Sequence, residues 1–325
     1  MTSLPQEAAR HVEEWLGTGW SAQALAGDAS VRAYFRITAA DGKTYMLAWY
    51  PEEVRAQLDR SLAAYEAVAP HVPVPAVLHH AAATVLQHDV GDKTIFAVLH
   101  EDREEGIRLY RQAVALLANF QKSSCEINAP FTADFFFNEL EMAREYFVEK
   151  LTNTPVNDVW ITLTKRLCES VAAHPYVNCH RDYHGQNVHV INEEIYLIDY
   201  QDLRMGPDTY DLASLLRDRG VARILGDDVE LALLDDYRQR IGADAAIRHR
   251  YFETLLQRSI KILGTFSKQP IVRARMHYLE FIPATLESVR RCLAELPEYA
   301  PIGEMLPTEF SIERARERAR ELKET

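Results

Sequence analysis

Two short stretches restrict this chain more than any others. In His180-Arg181-Asp182-Tyr183-His184-Gly185-Gln186-Asn187 an acid stands five positions before an amide, and Ile195-Tyr196-Leu197-Ile198-Asp199-Tyr200-Gln201-Asp202 delivers a second acid from an apolar run. Val188 to Ile191 and Ile195 to Ile198 alternate enough to pair as a small hairpin across Asn192-Glu193-Glu194, which returns Asn187 and Asp199 to one end. An amide oxygen and a carboxylate are hard ligands suited to Mg²⁺. Asp182 can accept or orient the proton of an acceptor hydroxyl. Phosphoryl transfer asks for little more: an in-line hydroxyl, a clamped nucleotide and cations on the phosphates. Each pair alone is common by chance. Their combination, followed by Gly206-Pro207 as a turn and a helix start over Tyr210 to Arg219, is not.

Composition narrows the setting. The 325 residues are 47% hydrophobic and 26% charged, with 36 basic against 48 acidic residues and a net charge of -12. An acidic surface repels phosphate backbones and anionic lipids, so neither a nucleic acid nor a membrane is an expected partner. No apolar run approaches the roughly 20 residues of a membrane helix, and Met1 to Trp20 carries no apolar signal core. The four cysteines, Cys125, Cys168, Cys179 and Cys292, have no CxxC spacing, which points to a reducing cytoplasm rather than to zinc or a disulfide framework.

The N-terminal part reads as helix, then sheet. Ser3 as cap and Pro5 in the first turn open a helix with Ala8, Val12, Trp15 and Leu16 on one face, ended by Gly17. Strands follow at Ala22 to Ala26, Val31 to Thr38 and Thr44 to Tyr50, with a small-residue turn at Gly27 to Ser30 and a hairpin turn at Asp41-Gly42. On the second strand Arg32 and Arg36 face the same way, about 13 Å apart, and one of them can reach a triphosphate beneath the Ser30 turn; a solvated strand face is the plain alternative. A helix spans Glu52 to Ala69, Val72-Pro73-Val74-Pro75 is an exposed connector, and strands follow at Ala76 to His79 and Thr84 to His88. Asp89-Val90-Gly91-Asp92 is polar and marks a hinge; were that hinge kinase-like, the backbone from Gln87 through Asp89 to Val90 would bond an adenine.

The remainder is helical: Ile107 to Lys122, Phe135 to Leu151, Asp158 to Ala173, Asp228 to Ile241 capped by Asp227 or Asp228, Ala245 to Thr265, Arg273 to Leu296, and an exposed tail helix at Ser311 to Leu322. Tyr176 to Cys179 is a short strand leading into the acid-amide stretch. His180 reads as a structural loop histidine, and Asp211 as either a helix cap or a partner for the loop backbone. The order gives an α+β fold: a small antiparallel-sheet N-lobe over 1–88, a hinge at 89–92, and a larger helical C-lobe over 93–325.

The stretches His180 to Asn187, Ile198 to Asp202 and Gly206 to Asp218 resemble the aminoglycoside phosphotransferase and choline kinase superfamily. Gly27 to Arg36, Asp199-Tyr200-Gln201-Asp202, Glu139-Leu140 ahead of Tyr146-Phe147, and Leu256 to Phe266 look closer to the bacterial kinases that phosphorylate N-acetylmuramate and N-acetylglucosamine at the anomeric hydroxyl. The resemblance implies a bilobal protein-kinase-like fold, ATP and Mg²⁺ as cofactors, a small-molecule sugar as acceptor, Asp182 as catalytic base, and Asn187 and Asp199 as metal ligands. Ser30, Arg32, Arg36, Gln87, Asp89 and Val90 would meet the nucleotide, Glu139, Gln201 and Asp202 the sugar, with His180 and Asp211 supporting the loop. One departure stands out: the third strand, Tyr45-Met46-Leu47-Ala48-Trp49-Tyr50, lacks the lysine that kinases set against the phosphates, so Arg32 or Arg36 would supply that cation. An aminoglycoside or choline as acceptor, and a catalytically dead nucleotide-binding module, remain as alternatives.

Overall fold

The computed structural model describes residues 4–25, 31–124, 126–217 and 220–324, with only the backbone of Glu324. In chain order its elements are α1 (Gln6–Leu16), β1 (Ser21–Ala24), β2 (Ala33–Thr38), β3 (Thr44–Trp49), α2 (Ala56–Val68), β4 (Val77–Ala81), β5 (Thr84–His88), α3 (Ile95–Glu101), α4 (Arg103–Phe120), α5 (Ala133–Ala143), α6 (Asp158–Ala172), β6 (Tyr176–Cys179), β7 (Val188–Ile191), β8 (Glu194–Leu197) and β9 (Arg204–Pro207). After them come α7 (Tyr210–Arg217), α8 (Val221–Leu225), α9 (Asp227–Ile241), α10 (Ile247–Arg273), α11 (Ile282–Glu295) and α12 (Ile312–Glu324). The fold is α+β. The chain divides into two compact units: Met1–Asn128 with Asp182–Leu203, and Ala129–Arg181 with Arg204–Thr325. The 89–92 segment lies inside the first.

In the first unit an antiparallel sheet runs in the order β1-β2-β3-β5-β4. Alternation along β2 sends Phe35 and Ile37 into a core with Ala8 and Val12 of α1, Leu47 and Leu86. Tyr34 and Arg36 take the other face. The helix over 52–69 begins with a tight turn at Glu52–Val54 and continues as α2. The connector Val72 to Pro75 is not exposed as expected: Val72 and Val74 are buried, and the Pro73 carbonyl accepts from the Leu197 N–H at 3.0 Å. Sequence reading also missed α3, which Thr94 caps by accepting from the Ala97 N–H at 3.2 Å. The hairpin β7–β8 forms, but Glu194 pairs with Ile191 instead of joining the connection, which is Asn192 and Glu193 alone, both at positive φ, the conformation a tight two-residue hairpin turn requires.

The second unit is built on α10, packed against α5, α6, α7, α11 and α12. Gly206 and Pro207 are not a turn. They end β9, pairing with Val177 and Tyr176 of β6, and a Cβ at Gly206 would come within 2.5 Å of the Phe131 ring. The expected break between Thr265 and Arg273 is absent: α10 continues through Pro270 in its last turn. The helix over 135–151 holds only to Ala143 and then widens to a π-helix over Arg144–Leu151. Gly226 stands at the start of α9, and Asp227 and Asp228 lie in its first turn without capping it, where they meet the positive end of the helix. The tail helix α12 is docked rather than exposed: Ala315 and Ala319 are buried, and Arg318 Nε donates to the Lys150 carbonyl at 3.2 Å. Ser3, the turn from Gly27 to Ser30 and Cys125 lie outside the described residues; the described cysteines, Cys168, Cys179 and Cys292, are buried free thiols.

Candidate active site

The segment just upstream of Asp182 is fixed from within the second unit. Asp211, in the first turn of α7 and fully buried, accepts from the His180 N–H at 2.6 Å and the Arg181 N–H at 2.9 Å. Arg181 is held at φ +78°, a left-handed conformation that costs a residue with a Cβ about 1 kcal/mol or more. Burial pushes the Asp211 carboxyl above its ordinary range, against the opposing influence of His180 and the two N–H groups. His180 is 1% exposed. The Asp211 side chain therefore acts on the loop backbone, at His180 and Arg181.

Within the first unit the loop turns tightly. The His184 N–H donates to the Asp182 carbonyl and the Asn187 N–H to the His184 carbonyl, each at 2.9 Å. Gly185 allows this because a Cβ there would lie 2.3 Å from the Tyr110 hydroxyl. That hydroxyl is buried and has no hydrogen-bond partner among the described residues. Tyr183, also buried, anchors the loop by donating to the Ala113 carbonyl at 2.8 Å. Neither tyrosine was singled out from sequence, since both contacts join the loop to α4, far away in the chain.

Asn187 Nδ2 donates to the Asp182 carbonyl at 2.9 Å, so its amide oxygen is the atom left for a ligand. Across the hairpin the Ile198 N–H donates to the Asn187 carbonyl at 3.0 Å, extending the β7–β8 ladder by one bond. Asp199 follows at φ +64°. Gln201 Nε2 donates to Asp199 Oδ1 at 2.9 Å, and Arg32 Nη2 lies 3.8 Å from the same oxygen. Asp202 is exposed beside them. Two hard oxygen donors, one amide and one carboxylate, stand at one end of a short hairpin, a set that fits Mg²⁺.

Arg32, Gln87, Asp199 and Gln201 line one cavity with Tyr34 and Tyr50. The Arg32 guanidinium sits 5.9 Å from each tyrosine ring centre. Burial works to lower its pKa, yet the two phenols and Asp199 outweigh that and raise it. Burial pushes the Tyr34 phenol up to about 12. Arg36 stands differently. Its Nε and Nη2 meet Asp89 at 2.6 and 3.2 Å, and its Nη1 and Nη2 meet Asp92 at 2.8 Å each. Burial would raise the Asp89 carboxyl, but Arg36 and the Gly91 N–H bring it below the usual range; Arg36 does the same for exposed Asp92. The 89–92 segment is tied onward by His189 Nδ1 donating to the Gly91 carbonyl at 2.7 Å. Val90 is buried, and Ser30 lies outside the described residues.

Glu139 is on α5 in the second unit. Its carboxylate accepts from Gln257 Nε2 at 3.1 Å and meets Lys261 Nζ at 3.3 Å. Neither α10 partner was identified as a site residue from sequence, although both fall in the stretch Leu256 to Phe266.

Residues 21–250 match a family model described as a phosphotransferase enzyme family. The N-acetylmuramate/N-acetylglucosamine kinase of Pseudomonas putida is 26% identical over 307 residues, covering 88% of this chain and 87% of that one. The kinase of the same name from Neisseria meningitidis serogroup B is 28% identical over 301 residues, covering 86% and 88%. An ADP-bound aminoglycoside phosphotransferase crystal structure matches with a TM-score of 0.59 at 13% identity, covering 89% of this chain and 99% of that one, a likeness of fold.

Proposed function

This chain belongs to the phosphotransferase enzyme family, and we propose that it is an ATP-dependent kinase of a cell-wall amino sugar, N-acetylmuramate or N-acetylglucosamine, acting at the anomeric hydroxyl. The acceptor is that of the named relatives in Pseudomonas putida and Neisseria meningitidis. The observation that carries the chemistry is the Ile198–Asn187 backbone bond, which supports Asn187 and Asp199 as joint ligands of Mg²⁺. When bound, that ion draws charge from the phosphate oxygens.

Asp182 orients the sugar hydroxyl. The hydroxyl oxygen forms a bond to the γ-phosphorus as the bond to the β-phosphate oxygen breaks, ADP leaves, and the hydroxyl proton passes to the Asp182 carboxylate. Arg32 takes the place of the absent strand lysine; an Arg fork grips phosphate oxygens in pairs. Ser30 and the backbone from Gln87 through Asp89 to Val90 meet the nucleotide, while Glu139, Gln201 and Asp202 meet the sugar. His180 and Asp211 hold the loop backbone. Residues 1–88 serve as nucleotide cover, 89–92 as hinge and 93–325 as acceptor lobe. No helix among the described residues is long and apolar enough to cross a membrane, and we place the protein in the cytoplasm, where ATP is available.

The test is ADP release from MgATP with N-acetylmuramate, N-acetylglucosamine, an aminoglycoside and choline, followed by phosphorus NMR of the product. Turnover confined to the two sugars, with an anomeric phosphate and nearly all activity lost in Asp182→Asn, is the expected result. Turnover confined to the aminoglycoside or to choline, or with none of the four, would overturn it.

A further inference from the structure

Near the start of α10, His249 and Glu253 stand four residues apart and so share one face of the helix. Glu298, in the 3₁₀ segment Pro297–Met305, meets them there. All three belong to the second unit. His249 Nε2 lies 3.6 Å from Glu253 Oε1 and 3.3 Å from Glu298 Oε1, and one donor atom from each residue falls within 4.8 Å of the other two. Charge-assisted N–H···O bonds close to about 2.7–2.9 Å, and neither contact does so. Donors around a shared divalent ion, each about 2.1 Å from it in a tetrahedral array, stand roughly 3.4 Å apart. The spacing is that of ligands to an ion rather than of a hydrogen-bonded pair.

Glu253 is fixed from behind. Its side chain is 3% exposed. His174 Nε2 donates to its Oε2 and the Tyr299 hydroxyl to its Oε1, each at 2.9 Å. Burial works to raise the Glu253 pKa, and His174, Ser170 and Tyr299 outweigh it and lower it. Hydrogen bonds of this kind orient a carboxylate that ligates a metal. Tyr299 follows Glu298 directly, so one segment supplies a ligand and aligns another.

The front is open to water. The His249 side chain is 51% exposed and that of Glu298 30%. The two arginines that bracket His249 turn to other acids: Arg248 meets Glu295 at 3.0 Å and Arg250 meets Asp208 at 2.8 Å. Arg166 stands by the phenol, 5.9 Å from the Tyr299 ring centre. As plain ion pairs, the contacts of a half-exposed histidine add little to stability. As ligands, two carboxylates balance a divalent charge, and an imidazole nitrogen suits Zn²⁺ better than it suits Mg²⁺ or Ca²⁺.

We propose that His249, Glu253 and Glu298 form a binding site for a divalent cation of the Zn²⁺ class, with one imidazole nitrogen, two carboxylate oxygens and water completing the shell. The ion fastens the first turns of α10 to the segment Pro297–Met305. The site draws on none of the residues assigned to catalysis, so it stands or falls apart from the kinase reading.

The experiment strips the full chain with EDTA, returns it to buffer with excess Mg²⁺, and titrates ZnCl₂ by calorimetry into the wild type, His249→Ala, Glu298→Gln and Asp199→Asn. One equivalent of Zn²⁺ binds the wild type and Asp199→Asn alike and raises Tm, while His249→Ala and Glu298→Gln each lose affinity at least tenfold. No binding to the wild type, or a smaller loss in either of those two variants, overturns the proposal. Should a variant fail to fold, X-ray absorption at the zinc edge of the loaded wild type decides. One imidazole with oxygen donors supports the site; a sulfur donor, no imidazole or more than one imidazole overturns it.

Discussion

Arg36 grips Asp89 with two nitrogens, at 2.6 and 3.2 Å, across 53 residues of sequence. The Asp89 side chain is only 5% exposed, and the same guanidinium turns outward to Asp92. A cation so engaged is committed to this clamp, while Arg32, just before the start of β2, lines the cavity with Asp199. We propose that the two arginines divide what sequence reading assigned to either, Arg36 holding Asp89 and Arg32 serving the phosphates.

That division predicts a double dissociation. Arg32→Ala raises KM for ATP tenfold or more and leaves stability within about 1 kcal/mol. Arg36→Met lowers stability by about 2 kcal/mol, because it strands the buried Asp89 carboxylate, and changes turnover less. Urea unfolding beside steady-state kinetics separates the two; identical profiles for both variants would sink the assignment.

The same clamp predicts a pH dependence of known sign. Arg36 holds Asp89 and Asp92 below the usual carboxylate range. Groups with depressed folded pKa values contribute stability above the unfolded value, about 4 for Asp, and lose it as pH falls through the folded values. The stability gap between wild type and Arg36→Met should be constant from pH 7 to about 5 and shrink below about 4. A gap that widens on acidification contradicts the structure.

Gly185 and Tyr110 form a steric pair. Gly185→Ala drives a Cβ toward the buried Tyr110 hydroxyl, and overpacking of this kind costs about 1–3 kcal/mol. Tyr110→Phe removes a hydroxyl with no partner among the described residues, so alone it is neutral or slightly stabilising. The double variant should recover part of the Gly185→Ala loss in melting temperature and in kcat. Simple additivity would show that the two sites do not touch.

Asp211→Asn leaves the side chain's size unchanged and sets an amide nitrogen against one of the two N–H groups it now accepts. The expectation is a fall in kcat of tenfold or more, with KM for ATP changed less than threefold, because the backbone at φ +78° of Arg181 loses its anchor. Unaltered kcat would reduce Asp211 to a helix cap.

What sequence could reveal followed the range of each interaction. The hairpin carrying Asn187 and Asp199 was legible because alternation and turn are local. So was the strand carrying Arg36, although it begins at Ala33 and leaves Arg32 just before it, and the fate of Arg36 lay 53 residues away. Gly206-Pro207 carries a strong turn signal that a strand 29 residues upstream overrides, pairing Val177 with Gly206. The α12 helix docks through Ala315 and Ala319, side chains too small to write an apolar stripe. Glu139 stood out as a lone acid; that Gln257 and Lys261 would flank it depends on how closely Gly264 lets α10 approach Ala143, which no local pattern encodes.

The first unit is discontinuous, its last piece being Asp182–Leu203. A ribosome makes the five-stranded sheet early, then must emit residues 129–181, which belong elsewhere, before the missing hairpin appears. Until residue 203 has left the exit tunnel, the nascent chain owns Arg32 and Gln87 but lacks Asp182, Asn187 and Asp199. On the roles proposed above, such a half-made chain has neither the base nor the metal ligands.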